Sequence, residues 1–269
     1  MQKTLLLALI FVCTSCSQIL YQPDQYLYIR PSEHGFNVVE EVVVASDGTK
    51  LGSWFLKHNK NKEPSRDTLV VFFHGNAQNI SAHFSVVSWM SDYGLDVFMG
   101  DYRGYGISEG SPNPAGVEKD ALAFLDHSYK VFKKNKYKKL IILAQSLGGA
   151  IAMNALQLFA HRDEINLLVL DSTFINPKNV AHDKIWGLGY LLISGAHTAE
   201  NLNHLTMPTL VVHGAEDKVI PYKFGLEIYQ QILHEKKWWW LRDHGTHIAT
   251  FHENNKTYRQ KLIEVIESI

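Results

Sequence analysis

Three kinds of side chain in this sequence could together attack an acyl carbonyl: a serine at a sharp turn, a histidine and a carboxylate. The serine is Ser146. It follows the apolar run Leu140-Ile141-Ile142-Leu143 and precedes Leu147-Gly148-Gly149-Ala150-Ile151-Ala152-Met153, so it stands at the apex of a strand, a turn and a helix. A turn that tight accepts only small residues two before and two after its apex, and Ala144 and Gly148 meet that condition. So placed, Ser146 projects its hydroxyl, while the N–H of Leu147 and the helix N-terminus face a developing oxyanion. A serine hydroxyl is a poor nucleophile until a base takes its proton. Downstream carboxylates that could orient such a base are Asp171, Glu216 and Asp217, with a helix N-cap or turn as the plainer role for Asp171. His244 and His247 share one loop near the C-terminus. The chain holds 14 histidines, so the residue type alone selects nothing. The chemistry of a complete set is two-step acyl transfer.

The elements that must hold these groups alternate along the chain. Strand-like runs occupy residues 38–45 and 50–57, joined by a turn at Asp47-Gly48. Further strands fall at Leu69–Phe73, Leu95–Met99, Leu140–Leu143, Leu167–Leu170, Thr209–Val212 and Lys237–Leu241. Helical stretches at 79–92, 115–134, 147–160 and 254–268 lie between or after them. This order predicts an α/β fold: a mostly parallel eight-stranded sheet with helices on both faces and an antiparallel N-terminal hairpin. At 269 residues the chain can bury a core of its own, and 46% apolar with 20% charged residues excludes disorder and collagen-like structure. A net charge of -1 leaves no electrostatic footprint for nucleic acid. Both cysteines, Cys13 and Cys16, precede residue 17, so the body of the chain has neither disulfides nor a thiolate metal site. Residues 172–208 have no clear place in the alternation. They read as a lid or a buried helix, with a notably apolar stretch at 185–193.

Residues from about 38 to 268 resemble the α/β-hydrolase superfamily. Ala144-Gln145-Ser146-Leu147-Gly148 resembles its nucleophile elbow, G-x-S-x-G, with alanine for the first glycine. His74-Gly75-Asn76-Ala77 resembles its oxyanion turn, and Asp101-Tyr102-Arg103-Gly104-Tyr105-Gly106-x-Ser108 its D-x-R-G-x-G-x-S loop bordering the active site. His213-Gly214-Ala215-Glu216-Asp217-Lys218-Val219-Ile220-Pro221 resembles the loop that carries the acid after the seventh strand. The resemblance implies Asp217 as the acid, His247 of Gly245-x-His247 as the base, and Asn76 with Leu147 as oxyanion donors. His74 then holds its loop. The signatures look most like the abhydrolase-domain branch, which includes depalmitoylase-like and serine aminopeptidase-like members. Ester or thioester hydrolysis is the expected activity, with amide cleavage or a non-catalytic envelope binding protein as alternatives. A monomer acting on a small or lipid-like acyl substrate is expected, and neither metal nor organic cofactor is implied. The glycines after Asp101 do not have dinucleotide-binding spacing, and Pro112 and Pro114 follow where a phosphate-binding helix should open.

The N-terminus carries one lysine and then Leu5–Val12, matching the n- and h-regions of a secretory signal. Eight apolar residues reach only about 12 Å as a helix, against about 30 Å of bilayer core. Cys13-Thr14-Ser15-Cys16 resembles a bacterial lipobox with cysteine where an aliphatic residue is usual. This implies a signal peptide over 1–15, lipid attachment at Cys16, a tether over 16–35 and a catalytic domain over 36–269. The location implied is the bacterial cell envelope, on the periplasmic side or at the outer membrane.

Overall fold

Strand β5 (Lys139–Gln145) shows why its sequence is apolar throughout. Leu140, Ile142 and Ala144 enter one core layer, while Ile141 and Leu143 enter another on the opposite face. Parallel strands covered on both sides must be continuous rather than alternating in polarity. The computed structural model describes residues 20–184, 197, 201–252 and 255–269. Eight strands form one sheet: β1 (Val38–Val44), β2 (Lys50–Leu56), β3 (Thr68–Phe73), β4 (Asp96–Gly100), β5, β6 (Leu167–Asp171), β7 (Thr209–Gly214) and β8 (Lys237–Arg242). Their order is β1-β2-β4-β3-β5-β6-β7-β8. The β1–β2 pair is antiparallel and the sheet mostly parallel, as the sequence predicts; the β2–β4 pair is antiparallel as well.

Helices α2 (Pro114–Asn135), α3 (Leu147–Leu158) and α5 (Lys223–Gln231) pack on the face that holds Val71, Phe73 and Ile142. Helices α1 (Ile80–Val87) and α6 (Lys256–Ser268) cover the other face, against Val70, Phe72 and Ile141. The helix expected over 79–92 ends as α1 at Val87 and continues as a 3-10 turn, Ser88–Tyr93. There the Trp89 indole N–H donates to the Val86 carbonyl and the Ser91 hydroxyl to that of Ser88. Such local bonds compete with the α-helical pattern. Within 172–208, Pro177–Lys184 is helix α4, and Leu202, Leu205 and Met207 are buried in the core. The apolar stretch at 185–193 lies outside the described residues, together with 194–196 and 198–200. Among the described residues no helix is long and apolar enough to cross a membrane.

One boundary differs from expectation. The tether predicted over 16–35 lies against the domain from Leu20 onward. Leu20 and Tyr21 are buried, Pro23 bridges Gln78, and the Asn79 side-chain amide donates to the carbonyls of Asp24 and Tyr26. Burial of the Leu20–Tyr21 pair and satisfaction of extended backbone by Asn79 account for this. Residues 1–15 and Cys16 lie outside the described residues.

Candidate active site

The C-terminal ends of the parallel strands bring the chemistry-bearing loops together. Ser146 sits between β5 and α3 with φ 51° and ψ −123°, a conformation costly for a residue with a Cβ. The surroundings hold it there. Its N–H donates to the Asp171 carbonyl at 3.0 Å, and its carbonyl accepts from Thr173 Oγ1 at 2.6 Å and Gly149 N at 3.0 Å. A Cβ at position 148 would stand 2.3 Å from the His74 carbonyl oxygen, so glycine is required by how closely α3 approaches β3.

The loops after β7 and β8 supply the rest. His247 Nε2 lies 3.0 Å from Ser146 Oγ, and its Nδ1 lies 2.7 Å from Asp217 Oδ2. With Nδ1 donating to the carboxylate, Nε2 is left to accept the serine proton. Asp217 is held in turn, because its Oδ1 accepts from the N–H groups of Val219 and Ile220, both at 2.8 Å. Burial pushes its carboxyl up, but hydrogen bonds from His213, His247 and the Ile220 backbone outweigh that effect and keep it below the usual carboxylate range. Asp217 is therefore ionised, as an orienting acid must be. His213 Nε2 stands 2.8 Å from the Ile220 carbonyl and 3.4 Å from Asp217 Oδ2, so its proton belongs on Nε2.

The structure separates the alternatives that the sequence left open. His244, whose side chain is 90% exposed, pairs with Glu216 at 2.6 Å, away from the serine. Asp171 is neither a helix N-cap nor a turn residue. It ends β6 fully buried and accepts from Gln145 Nε2 at 2.8 Å, Ser172 Oγ at 3.1 Å and Thr250 Oγ1 at 3.2 Å. Ser172 Oγ also accepts from Ile248 N at 3.3 Å, so this buried carboxylate ties the elbow strand to the histidine loop. Sequence reasoning missed His213, Thr173 and this role of Asp171. The available signal was polar residues closing otherwise apolar strands.

Asn76 and Leu147 line the cleft beside Ser146, and neither backbone N–H has a hydrogen-bond partner among the described residues. Ala77 and Gln78 follow with φ of 62° and 59°, so the turn at Asn76 is held in strained backbone. His74 is fully buried, with Nδ1 2.8 Å from the Gly75 carbonyl oxygen. Burial and the neighbouring His83 push its imidazole well below the usual value, so it is neutral. The D-x-R-G loop is anchored by Arg103, which pairs with Asp120 at 2.7 Å and Asp47 at 3.1 Å. It delivers Tyr105, whose hydroxyl donates to Asn76 Oδ1 at 3.0 Å. The cleft has a volume of about 200 Å³, and its walls are mainly apolar: Leu20, Phe174, Pro177, Val180, Val219 and Ile220. Such an arrangement can activate a hydroxyl, steady a tetrahedral oxyanion and take an apolar chain alongside.

Comparison with known proteins agrees with this architecture. The family model described as serine aminopeptidase S33 matches residues 64–188, which include Ser146 but end before Asp217 and His247. A protein of Escherichia coli K12 called YfhR is 31% identical over 277 residues, covering 98% of this chain and 94% of its own. The lysophosphatidylserine lipase ABHD12 of Danio rerio is 29% identical, covering 88% of this chain and 65% of its own. The solved esterase Pf2001 of Pyrococcus furiosus superposes with a TM-score of 0.71 at 20% identity, covering 92% of this chain and 98% of its own. With the eight-stranded topology and a relative of 31% identity matched along almost the whole length, the chain belongs to the α/β-hydrolase superfamily.

Proposed function

We propose that this chain is a serine hydrolase cleaving carboxylic esters or thioesters of lipid-like acyl groups, with Ser146 as nucleophile, His247 as base and Asp217 as acid. The observation that carries the reading is the unbroken hydrogen-bonded path from Asp217 through His247 to Ser146, opening on an apolar cleft. His247 Nε2 removes the Ser146 proton as Oγ bonds to the substrate carbonyl carbon. The negative charge passes to the carbonyl oxygen, which the N–H groups of Leu147 and Asn76 hold. Collapse expels the alcohol or thiol, protonated by the imidazolium, and leaves an acyl-serine. Water, deprotonated by the same imidazole, then releases the acid and restores Ser146.

The apolar walls favour an acyl chain over a charged peptide terminus, and the lipase named among the relatives supports the same substrate class. Amide cleavage is the second reading, favoured by the aminopeptidase description of the matching family. The same proposal has the chain held at the bacterial cell envelope through Cys16. Ser146→Ala tests the core of it. Turnover of p-nitrophenyl esters and thioesters should fall by roughly four to six orders of magnitude, and covalent labelling by a fluorophosphonate probe should vanish. Labelling that persists at another serine, or a wild type that binds acyl ligands without turnover, would overturn it.

A further inference from the structure

We infer that Leu20–Asp24 is a working strap of this active site, which positions the oxyanion turn and forms one wall of the acyl cleft. The inference rests on the proposed hydrolase reading and extends it to residues outside the triad and its motifs.

The strap grips the turn at Asn76, just before its strained pair, and at Gln78, the second residue of that pair. At the first, Asn76 Oδ1 accepts from the backbone N–H of Gln22 at 2.9 Å, from Tyr105 Oη at 3.0 Å and from the N–H of Ala77 at 2.9 Å. The Gln22 N–H also lies 3.2 Å from Tyr105 Oη, closing a triangle between strap, turn and D-x-R-G loop. At the second, Pro23 bridges Gln78 in parallel, and the Asp24 carbonyl accepts from Gly106 N at 2.9 Å. Ala77, between these grips, and the gripped Gln78 both have positive φ, a conformation that relaxes unless its surroundings hold it. The acceptor that Gln22 fixes belongs to Asn76, which lines the cleft beside Ser146 and whose own N–H has no hydrogen-bond partner among the described residues. A donor displaced by a fraction of an ångström stabilises an oxyanion poorly, so the grip acts on the rate of the chemical step.

The same segment shapes the cleft. Leu20 is buried and lines it with Ser146, Val180 and Ile220. Tyr21 is fully buried, and its hydroxyl shares a 2.6 Å hydrogen bond with His197 Nε2. This bond to a residue 176 positions away fixes the strap beside Leu20 and keeps Leu20 in place. Leu20 is therefore a specificity-determining residue, and Gln22 with Tyr105 are positioning residues.

The test uses the full-length chain with Gln22→Pro, which removes the backbone donor, and Tyr105→Phe, which removes the hydroxyl but keeps the ring. Leu20→Ala, Leu20→Trp and the conservative Leu20→Met are measured beside them. Active sites are counted by fluorophosphonate titration, so misfolded protein does not enter kcat. Both positioning variants should lose about tenfold in kcat per active site with KM changed by less than about twofold. Their Ser146 labelling should slow in proportion. Leu20→Ala should move the preferred p-nitrophenyl ester about two methylenes longer and Leu20→Trp about two shorter, with Leu20→Met unchanged. Unchanged kcat per active site and an unchanged chain-length ranking, in an active wild type, would overturn the strap and leave the hydrolase reading standing. A wild type that neither labels nor hydrolyses any ester would remove both.

Discussion

Asp217→Asn probes the path to Ser146 at its least exposed link. The substitution keeps the shape of the side chain but removes its charge and half of its acceptors. Oδ1 accepts from two backbone N–H groups, Val219 and Ile220, so the amide oxygen must occupy that place. The NH2 group then faces His247 Nδ1, where Oδ2 stood at 2.7 Å. Two donors cannot share that contact, and the imidazole must carry its proton on Nε2, pointing at Ser146 Oγ 3.0 Å away. In that tautomer the nitrogen donates where it should accept, and the nucleophile is not activated. Turnover should fall by about four orders of magnitude, the size of loss expected when a triad acid becomes an amide. Stability should change little, because the two backbone donors keep their acceptor and His213 keeps the Ile220 carbonyl. The assay is kcat on a p-nitrophenyl ester, with active sites counted by mass spectrometry of the labelled serine. A variant that keeps more than about 1% of wild-type kcat would refute the orienting role and return Asp171 and Glu216 to consideration.

Three further outcomes can be measured, two from the geometry of the described residues and one from the N-terminal sequence. His247→Ala should lose activity to the extent of the serine variant, whereas His244→Ala, at an exposed pair with Glu216, should keep kcat/KM within about threefold of wild type; the reverse pattern would move the base by three residues. Burial raises the Asp101 carboxyl to about 8 in the folded protein, far above its ordinary value of 3.8. The folded state therefore holds a proton that the unfolded chain releases, and stability must fall as pH rises from about 4 to about 8, by on the order of 5 kcal/mol. Asp101→Asn keeps an acceptor for the Ile80 N–H and should flatten that decline in urea unfolding measured at pH 5 and pH 8; an unchanged slope would sink the account. Cys16→Ser should release the chain from the membrane fraction and abolish metabolic labelling by a clickable fatty acid, and wild-type protein that is soluble and unlabelled would remove the anchor.

What the sequence made legible follows from how local each constraint is. The elbow could be read because its requirement is steric and confined to five consecutive positions, Ala144 to Gly148. The sheet could be read because strands buried on both faces must be apolar throughout, as Leu140–Leu143 and Leu167–Leu170 are. The choice between His244 and His247 is different in kind. It depends on how the loop after β8 turns, and both residues stand within reach of a carboxylate, one Glu216 and the other Asp217. Only the fold sends the first outward. Asp171 was misread for the same reason, since its three partners come from β5, from its own neighbour and from a loop 79 residues away. Leu20–Asp24 looked like a tether because its partners, Asn76, Gln78 and Gly106, lie more than fifty residues further on. Hydrogen bonds of that range leave no periodic trace.

The distribution of backbone strain gives a physical reason for building the site this way. Among the described residues, eight other than glycine have positive φ, and six of them, Ala77, Gln78, Ser146, Ser172, His244 and Ile248, lie in the turns after β3, β5, β6 and β8. Each costs on the order of 1–3 kcal/mol, a substantial share of the 5–15 kcal/mol that separates a typical domain from its unfolded chain. Glycine would relieve most of that cost, but two of the positions need their side chains. Ser146 must carry the hydroxyl, and Ser172 Oγ accepts from Ile248 N behind the histidine. At the others a Cβ restricts the turn to fewer conformations than glycine would allow. Parallel strands end abruptly at one edge, and a chain that reverses within one or two residues keeps its functional groups over the strand ends. The two apolar layers, one on each face of the sheet, offset the strain, and what they hold in place is a donor, a hydroxyl and an imidazole whose geometry is set before any substrate arrives.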